Sequence, residues 1–180
     1  MGLLYEEILK LVEGLLEFSR VATMEKTFKL VDMNNILNHA LSNLKTLIEG
    51  NSAEINYNTL PEVMGDADQL QKIFQNLIIN AIKFKKEDKP PKIHISVQKD
   101  ENEYIFSVSD NDIEIEKQYM ERIFVIFKRL HTQDGYKGTK IELSIVKRII
   151  ERYNGRIWVE SEPCVGSTFY FTIPNQKSYN

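Results

Sequence analysis

The sequence predicts an α+β fold: a two-layer α/β sandwich in which a mixed sheet packs on three helices and a helical stub precedes the domain. Two observations predict it. Three long amphipathic segments and at least four longer strand-like segments follow one another in the order αβαββαββ. Four of the strand-like segments also form two adjacent pairs joined by turn residues, which is typical of β-hairpins.

The first half of the chain contains the stub and two helical segments. Residues 3–18 place apolar side chains at 4-3-4-3 spacing, namely Leu4, Ile8, Leu11, Leu15 and Phe18. That spacing indicates either a helix lying on its own domain or the end of a longer dimerisation helix, and the abrupt apolar start favours the second. Residues 19–26 are polar and indicate a linker. Asp32 is a good cap for a helix over 33–49, and residues 53–57 alternate as a strand.

The second half contains the most regular helix and both hairpins. Asp66 caps a helix predicted over 67–85, whose wide apolar stripe indicates packing against a sheet. The remaining predicted elements are a hairpin of 93–97 with 104–108, a short helix at 116–122, a helix over 141–153, and a hairpin of 156–160 with 168–173.

Composition excludes several classes of protein. The 180 residues include 23 Lys and Arg against 26 Asp and Glu, a net charge of -3, which disfavours a nucleic-acid binder. The longest apolar run, Ile123 to Phe127, is too short to cross a membrane. A single cysteine, Cys164, and scattered histidines indicate neither an internal disulfide nor a zinc site. We therefore expect one cytoplasmic domain that contacts neither nucleic acid nor membrane, although a full-length protein could be membrane-anchored.

One edge of the helix over 67–85 carries polar side chains at helical spacing. Asn76, Asn80 and Lys83 fall at i, i+4 and i+7 and so share a face beside the apolar stripe. Two amides and an ammonium there could hold a hydrated Mg²⁺ and a phosphate. The alternative is an ordinary solvated helix edge, and the spacing alone favours it because asparagine is common on exposed helix faces.

Asp110 ends the strand Tyr104-Phe106-Val108 on the inward face. An acid at the end of a buried face needs a hydrogen-bond donor, because burial of an unpaired charge is unfavourable. The donor is either a ligand amine or a structural partner.

Taken together, these segments resemble the ATP-binding catalytic domain of sensor histidine kinases, in the ATPase group of gyrase, Hsp90 and MutL, which has the Bergerat-type fold. The resemblance spans about Phe28 to Pro174 and rests on five motifs in order. These are an asparagine box at Asn76–Phe84, a first glycine box opening at Ser109-Asp110-Asn111, a phenylalanine box at Ile123–Arg129, a second glycine box opening at Gly138-Thr139, and closing strands at Gly155–Ser161 and Gly166–Phe169.

The resemblance implies a domain division and roles for individual residues. Residues 1–26 would be the end of the dimerisation helix with a linker, 27–175 the catalytic domain and 176–180 a tail. ATP and Mg²⁺ are the implied cofactors. The implied roles are Mg²⁺ binding for Asn80, assistance to the phosphates for Asn76, contact with the terminal phosphate for Lys83 and Arg129, proximity to adenine for Phe84, acceptance of the adenine amino group for Asp110, and a nucleotide-binding loop for Gly138 and Thr139.

Asn76 also separates two reaction types within that group. Sister ATPases have a glutamate at this position to activate water, and an amide cannot act as that general base. The resemblance therefore implies phosphoryl transfer to a protein histidine by positioning and charge neutralisation, rather than hydrolysis.

Both glycine boxes depart from the family pattern. Four positions that would be glycine are Asp112, Glu114, Lys140 and Glu142. Glycine allows positive φ and close approach of backbone N–H groups to phosphates, which a side chain hinders. Up to three added carboxylates also repel a triphosphate, by about 1 kcal/mol per pair in water and about 4 at an effective dielectric near 20. We expect weak or absent ATP binding.

The family's phosphoacceptor histidine is missing, since no histidine precedes residue 26 and His39 lies in the wrong context. The expected partners are a histidine-bearing dimerisation domain, a response regulator and a second copy joined through the N-terminal helix. Two alternatives stay open: an active kinase whose loops rearrange, and a pseudokinase or scaffolding module that binds partner kinases without nucleotide. A third interpretation is that the four glycines were replaced deliberately.

Overall fold

The structure, a computed structural model, describes residues 2–25, 27–126 and 141–175. It confirms the predicted α+β sandwich. The helices are α1 (Gly2–Thr23), α2 (Met33–Asn43), α3 (Lys45–Gly50), α4 (Ala67–Lys83) and α5 (Ile141–Arg152). The strands are β1 (Lys29–Asp32), β2 (Glu54–Tyr57), β3 (Glu62–Gly65), β4 (Lys92–Lys99), β5 (Glu103–Asp110), β6 (Ile157–Glu162) and β7 (Gly166–Pro174). Two 3-10 helices, Lys117–Tyr119 and Arg122–Phe124, follow β5.

The main sheet is mixed, with five strands in the order β2-β4-β5-β7-β6. Only β2 and β4 run parallel, and the other neighbours are antiparallel. Both predicted hairpins are present, as β4–β5 and β6–β7. The register brings Asp110 on β5 opposite Ser167 on β7, so the acid lies at the edge of the sheet where β5 ends.

The core lies between this sheet and the apolar faces of α2, α4 and α5. Phe106 of β5 stacks on Phe171 of β7, with ring centroids 4.9 Å apart. Phe74 of α4 meets both rings edge-on, at 6.4 and 6.0 Å. All three side chains are fully buried, so α4 is anchored on the central strands by aromatic packing.

Helix α1 extends five residues beyond the predicted end at residue 18. Val21 is buried, and the ring of Phe18 lies under the guanidinium of Arg148, 4.6 Å from its centroid. Gly14 approaches α5 so closely that a Cβ there would lie 2.8 Å from the Cγ2 atom of Ile141. One side of α1 therefore packs on α5. Leu4 and Ile8, at the start of the same seam, are 64% and 50% exposed, so the apolar seam continues beyond the part of α1 that packs on the domain.

Two shorter features differ from the expectation. The helix predicted over 33–49 is divided at Leu44 into α2 and α3. A small second sheet, absent from the predicted elements, also pairs β1 with β3 in antiparallel register, and β3 begins directly after Pro61. Neither change affects the packing of α4 and α5 on the main sheet. Among the described residues, no helix combines the length and apolar content that a bilayer crossing requires.

Candidate functional site

The polar edge of α4 is the first component of the site. Asp66 caps the helix by accepting a 3.0 Å hydrogen bond from the Gln69 N–H. The apolar face behind it is buried against the sheet, which leaves Asn76 and Asn80 half-buried at its border, one turn apart. Lys83, in the last turn, is exposed.

One end of this edge meets the start of α5. The Nδ2 atom of Asn76 lies 3.5 Å from the backbone carbonyl of Glu142, a long hydrogen bond at the limit of that interaction. Glu142 is the last glycine position of the second glycine box and lies in the first turn of α5. Helix packing thus brings the asparagine box beside the end of that box.

The other end of the edge meets the loop that follows β5. The backbone N–H of Ile113 donates to the carbonyl of Phe84 across 3.4 Å. Phe84 ends α4, and the ammonium of Lys83 lies 5.7 Å from the centroid of its ring. The asparagine box and the first glycine box therefore touch at this end, as their order in the resemblance implies.

Asp110 is anchored at the end of β5 by backbone donors. Its Oδ1 atom accepts hydrogen bonds from the N–H of Asp112 at 3.0 Å and from the N–H of Ser167 at 3.1 Å. Burial raises the pKa of Asp110 to about 6, while these two bonds and the Lys86 charge lower it. The raised pKa means that burial outweighs the donors, so Asp110 is a weaker acid than usual.

Asp112 is almost fully buried. The sequence groups it with Glu114 and Glu142 as carboxylates near a phosphate site but does not show its burial, and the residue is only 3% exposed. Its Oδ1 atom is inaccessible to solvent and has no hydrogen-bond partner within the described part of the chain. Burial raises its pKa to about 8, the charge of Asp110 raises it too, and Lys86 lowers it.

A signal for this burial is present in the sequence. The inward alternation of β5 runs through Phe106, Val108 and Asp110, and two more residues along the same parity lead to Asp112. Extending the strand pattern past its last apolar residue would have found the position. Lys86, in the connection from α4 to β4, carries no comparable signal.

Several predicted site residues lie outside the described ranges. These are Arg129, Gly138 and Thr139, which belong to the segment 127–140. Lys140 and the part of the phenylalanine box after Ile126 belong to the same segment. Of that box, Ile123 and Phe124 are buried, and Phe124 meets Phe169 edge-on at 6.2 Å. Those two residues act as core anchors. Within the described residues no group of three potential metal-ligating side chains is present.

The α4 edge also forms one wall of a groove against α1. The groove encloses about 790 Å³, and Leu16 and Arg20 line it from α1 while Lys72 and Asn76 line it from α4. Lys72 also forms an ion pair with Glu17. The side chain predicted to assist phosphates therefore lies between this groove and the start of α5.

A two-layer sandwich with an amide-bearing helix edge and a strand-end acid defines a class, the ATPase-type catalytic domain of sensor histidine kinases. Comparison with known proteins agrees: the matching family model is the "Histidine kinase-, DNA gyrase B-, and HSP90-like ATPase", over residues 65–177. The chain belongs to this family.

The curated relatives are longer than this chain. The chain is 49% identical over 164 residues to cyanobacterial phytochrome A of Nostoc sp., covering 91% of this chain and 21% of the relative. It is 49% identical to phytochrome-like protein Cph1 of Synechocystis sp., covering 91% and 22%. The adaptive-response sensory kinase SasA of Prochlorococcus marinus is 34% identical, covering 97% and 48%. The chain thus spans about a fifth to a half of these relatives.

Solved structures show the same fold. The catalytic domain of the histidine kinase ThkA, in a nucleotide-free form, superposes with a TM-score of 0.70 at 26% identity, covering 84% of this chain and 98% of that one. Full-length ShkA in complex with AMPPNP gives 0.78 at 24% identity, covering 93% and 35%. ThkA in complex with the response regulator TrrA gives 0.78 at 22% identity, covering 99% and 51%.

Proposed function

We propose that this chain is the catalytic domain of a two-component sensor histidine kinase in which nucleotide binding is impaired. Its reaction type is phosphoryl transfer from ATP to a histidine of another protein segment. Family membership supports the reaction class, and the amide at Asn76 supports transfer over hydrolysis because an amide cannot act as a general base for water.

The α4 edge suits the phosphate end of a nucleotide. Asn80 would hold a hydrated Mg²⁺ through its carboxamide oxygen, with Asn76 one turn away. When bound, Mg²⁺ supplies neutralisation of phosphate charge. Lys83 is exposed on the same edge and brings an ammonium to it. Arg129 would add a guanidinium from the phenylalanine box.

The part of the site where the purine base would lie, around Asp110, suits a nucleotide less well than the phosphate end does. Asp110 could accept an amino group of a purine, since its Oδ1 already takes two backbone donors and holds the carboxyl in place. Asp112, however, puts a second, buried carboxyl where the family has glycine. A side chain there takes up space, and its buried Oδ1 atom has no hydrogen-bond partner among the described residues, which is costly for the charged form.

The observation that carries the proposal is this burial of Asp112 beside Asp110. Surface carboxylates could turn towards water and leave a nucleotide site usable. A side chain that is 3% exposed has no such freedom without movement of the loop that bears it. Glu142, half-buried in the first turn of α5, adds a carboxylate at the opposite end of the site.

Calorimetric titration with ATP·Mg²⁺ tests the proposal. We expect a dissociation constant weaker than about 1 mM for the chain as it stands, equivalent to less than about 4 kcal/mol of binding free energy. Restoring glycine at all four positions (Asp112→Gly, Glu114→Gly, Lys140→Gly, Glu142→Gly) should give binding in the micromolar range.

The matched control places Asn80→Ala in the restored variant. It should lose the regained binding, which shows that the nucleotide uses the α4 edge. Micromolar binding by the unaltered chain would contradict the impairment. Absence of binding in a folded restored variant would contradict the assignment of the site itself.

A second candidate is a module that binds partner kinases through α1 without nucleotide. The exposed start of the apolar seam of α1 supports it, with Leu4 64% and Ile8 50% exposed. The partners we propose are a second copy of the chain through this helix, a dimerisation domain that supplies the histidine, and a response regulator. The complex of ThkA with TrrA supports the last of these.

Transfer assays separate the two candidates. The restored variant should label a histidine-bearing dimerisation domain with phosphate from ATP if the chain is a kinase domain. A restored variant that binds ATP, transfers nothing and still associates with such a domain would favour the scaffolding module.

A further inference from the structure

Residues 111–116 form the loop between β5 and the first 3-10 helix, and isolated backbone hydrogen bonds hold this loop to other parts of the protein. The N–H of Ile113 donates to the Phe84 carbonyl at 3.4 Å, and the N–H of Ile115 donates to the Ser161 hydroxyl at 2.9 Å. Neither bond belongs to a helix or strand. Such isolated bonds are lost one at a time, so the loop can open without unfolding the sheet.

Asp112 lies between these points and turns its side chain inward. Its backbone N–H donates to the Asp110 Oδ1 atom at 3.0 Å, so the Asp110 carboxyl lies directly beside the main chain of Asp112. The Asp112 Oδ1 atom is buried and has no partner among the described residues. A neutral carboxyl group tolerates that position far better than a charged one.

The charged groups that act on Asp112 come from two elements. Asp110 at the end of β5 raises its pKa, and Lys86 in the connection from α4 to β4 lowers it, but burial is the larger cause and brings it to about 8. Strands β6 and β7 meet the loop and Asp110 through uncharged residues: the Ser161 hydroxyl accepts from the N–H of Ile115, and the N–H of Ser167 donates to Asp110.

We propose that Asp112 is a proton-operated latch for the loop 111–116: the loop is closed while the buried carboxyl carries a proton, and it opens when that proton passes to solvent. Opening hydrates the new carboxylate, breaks the Ile113 and Ile115 tethers and uncovers Asp110. The latch would regulate the candidate nucleotide site. It rests on the proposed function only in that the loop lies beside Asp110, where adenine would bind.

The direction with pH follows from linkage. In the open loop Asp112 has an ordinary pKa, near 3.8, while in the closed loop it is about 8. Between these values the closed form binds more protons, so the open population grows up to about tenfold for each pH unit and stops growing above pH 8.

Amide hydrogen exchange of the full chain tests the latch without nucleotide. After correction for intrinsic exchange, the protection of Ile113 and Ile115 should fall at least about tenfold between pH 6 and pH 8, and level off above. In Asp112→Asn the protection should change by no more than about twofold between pH 6 and pH 8, because only Asp110, with a pKa of about 6, still titrates there. Asp88→Asn, which removes an exposed acid outside this loop, should behave like the unaltered chain.

Equal loop protection at pH 6 and pH 9, or the same loss in Asp112→Asn, overturns the proposal. Should Asp112→Asn fail to fold, carbon-13 NMR of the unaltered chain gives a second readout. A midpoint for the Asp112 carboxyl near pH 8 supports the latch, and one near pH 4 overturns it. Tight ATP binding would defeat the proposed function and leave these results unchanged, so the two can fail separately.

Discussion

The guanidinium of Arg152 donates a hydrogen bond of 2.7 Å to the backbone carbonyl of Val21, and so joins the end of α5 to the end of α1. A second bond of 2.6 Å reaches the carbonyl of Met24. The last carbonyls of a helix lack intrahelical donors, and a cation there is also favoured by the helix dipole. Arg152 therefore caps α1 from another part of the chain.

Replacing this cap should release the end of α1. We expect Arg152→Ala to reduce the stability of the α1–α5 contact by about 1.5–3 kcal/mol, because it removes charge-assisted bonds to two carbonyls. Hydrogen exchange of residues 19–24 measures the loss directly. Lys147→Ala is the control, since its pair with Glu151 is exposed and 3.9 Å long, and should change little. Equal effects of the two variants would contradict a capping role.

Tyr153 supports the start of α4. Its buried hydroxyl oxygen accepts a 2.8 Å hydrogen bond from the N–H of Asp66, the capping residue. Tyr153→Phe leaves that N–H without this acceptor, and we expect a loss of about 1–3 kcal/mol in urea unfolding. Tyr57→Phe is a matched control, because the Tyr57 hydroxyl is exposed and donates to Asn38. A loss of similar size in the control would show that the Tyr153 bond contributes nothing particular.

Stability should depend on pH through the buried acids. The pKa of both Asp110 and Asp112 is raised above 3.8, so their contribution is complete below about pH 4 and is lost as pH rises through about 6 and about 8. Asp112→Asn should therefore be more stable than the unaltered chain at pH 8.5, by on the order of 1–3 kcal/mol, and similar to it at pH 4.5. Thermal unfolding at both values measures the difference, and a constant difference across pH would contradict it.

The exposed part of the apolar seam of α1 should support self-association. We expect a dimer with a dissociation constant of about 100 µM or tighter. Ile8→Glu combined with Leu15→Glu should make the chain monomeric, because both seam side chains are exposed. Light scattering after size exclusion gives the mass. Lys10→Glu changes a polar position of the same helix and should leave the dimer intact. A monomeric unaltered chain would remove the homodimer proposal.

Local patterns predicted the elements that rely on local chemistry. The Asp66 cap and the apolar stripe after it fix α4 almost to the residue, and alternation fixes both hairpins. The extension of α1 to Thr23 was not predictable, because it depends on Val21 packing and on a cap donated by Arg152, far away in the sequence. The division at Leu44 was hidden for a related reason, since the apolar period continues through it.

The sequence predicts which side chains share an edge or a face at the candidate site, but it does not predict how they pack or when they are protonated. The i, i+4 spacing placed Asn76 and Asn80 on one edge of α4, and strand parity placed Asp110 inward. The proximity of Asn76 to Glu142 depends on how α5 packs against α4, which spacing does not encode. The protonation behaviour of Asp112 depends on its burial and on Asp110 and Lys86, so it emerges only from the folded arrangement.

Gly166 lies in close backbone contact with Asp110, at a position where only glycine fits. It has a φ of +143°, and a Cβ there would lie 2.0 Å from the backbone carbonyl of Asp110. No side chain is tolerated at that contact, so the path of the main chain beneath the acid is constrained whatever residues the neighbouring loops carry. Restoring glycine at the four loop positions therefore changes side chains above a backbone contact that stays in place.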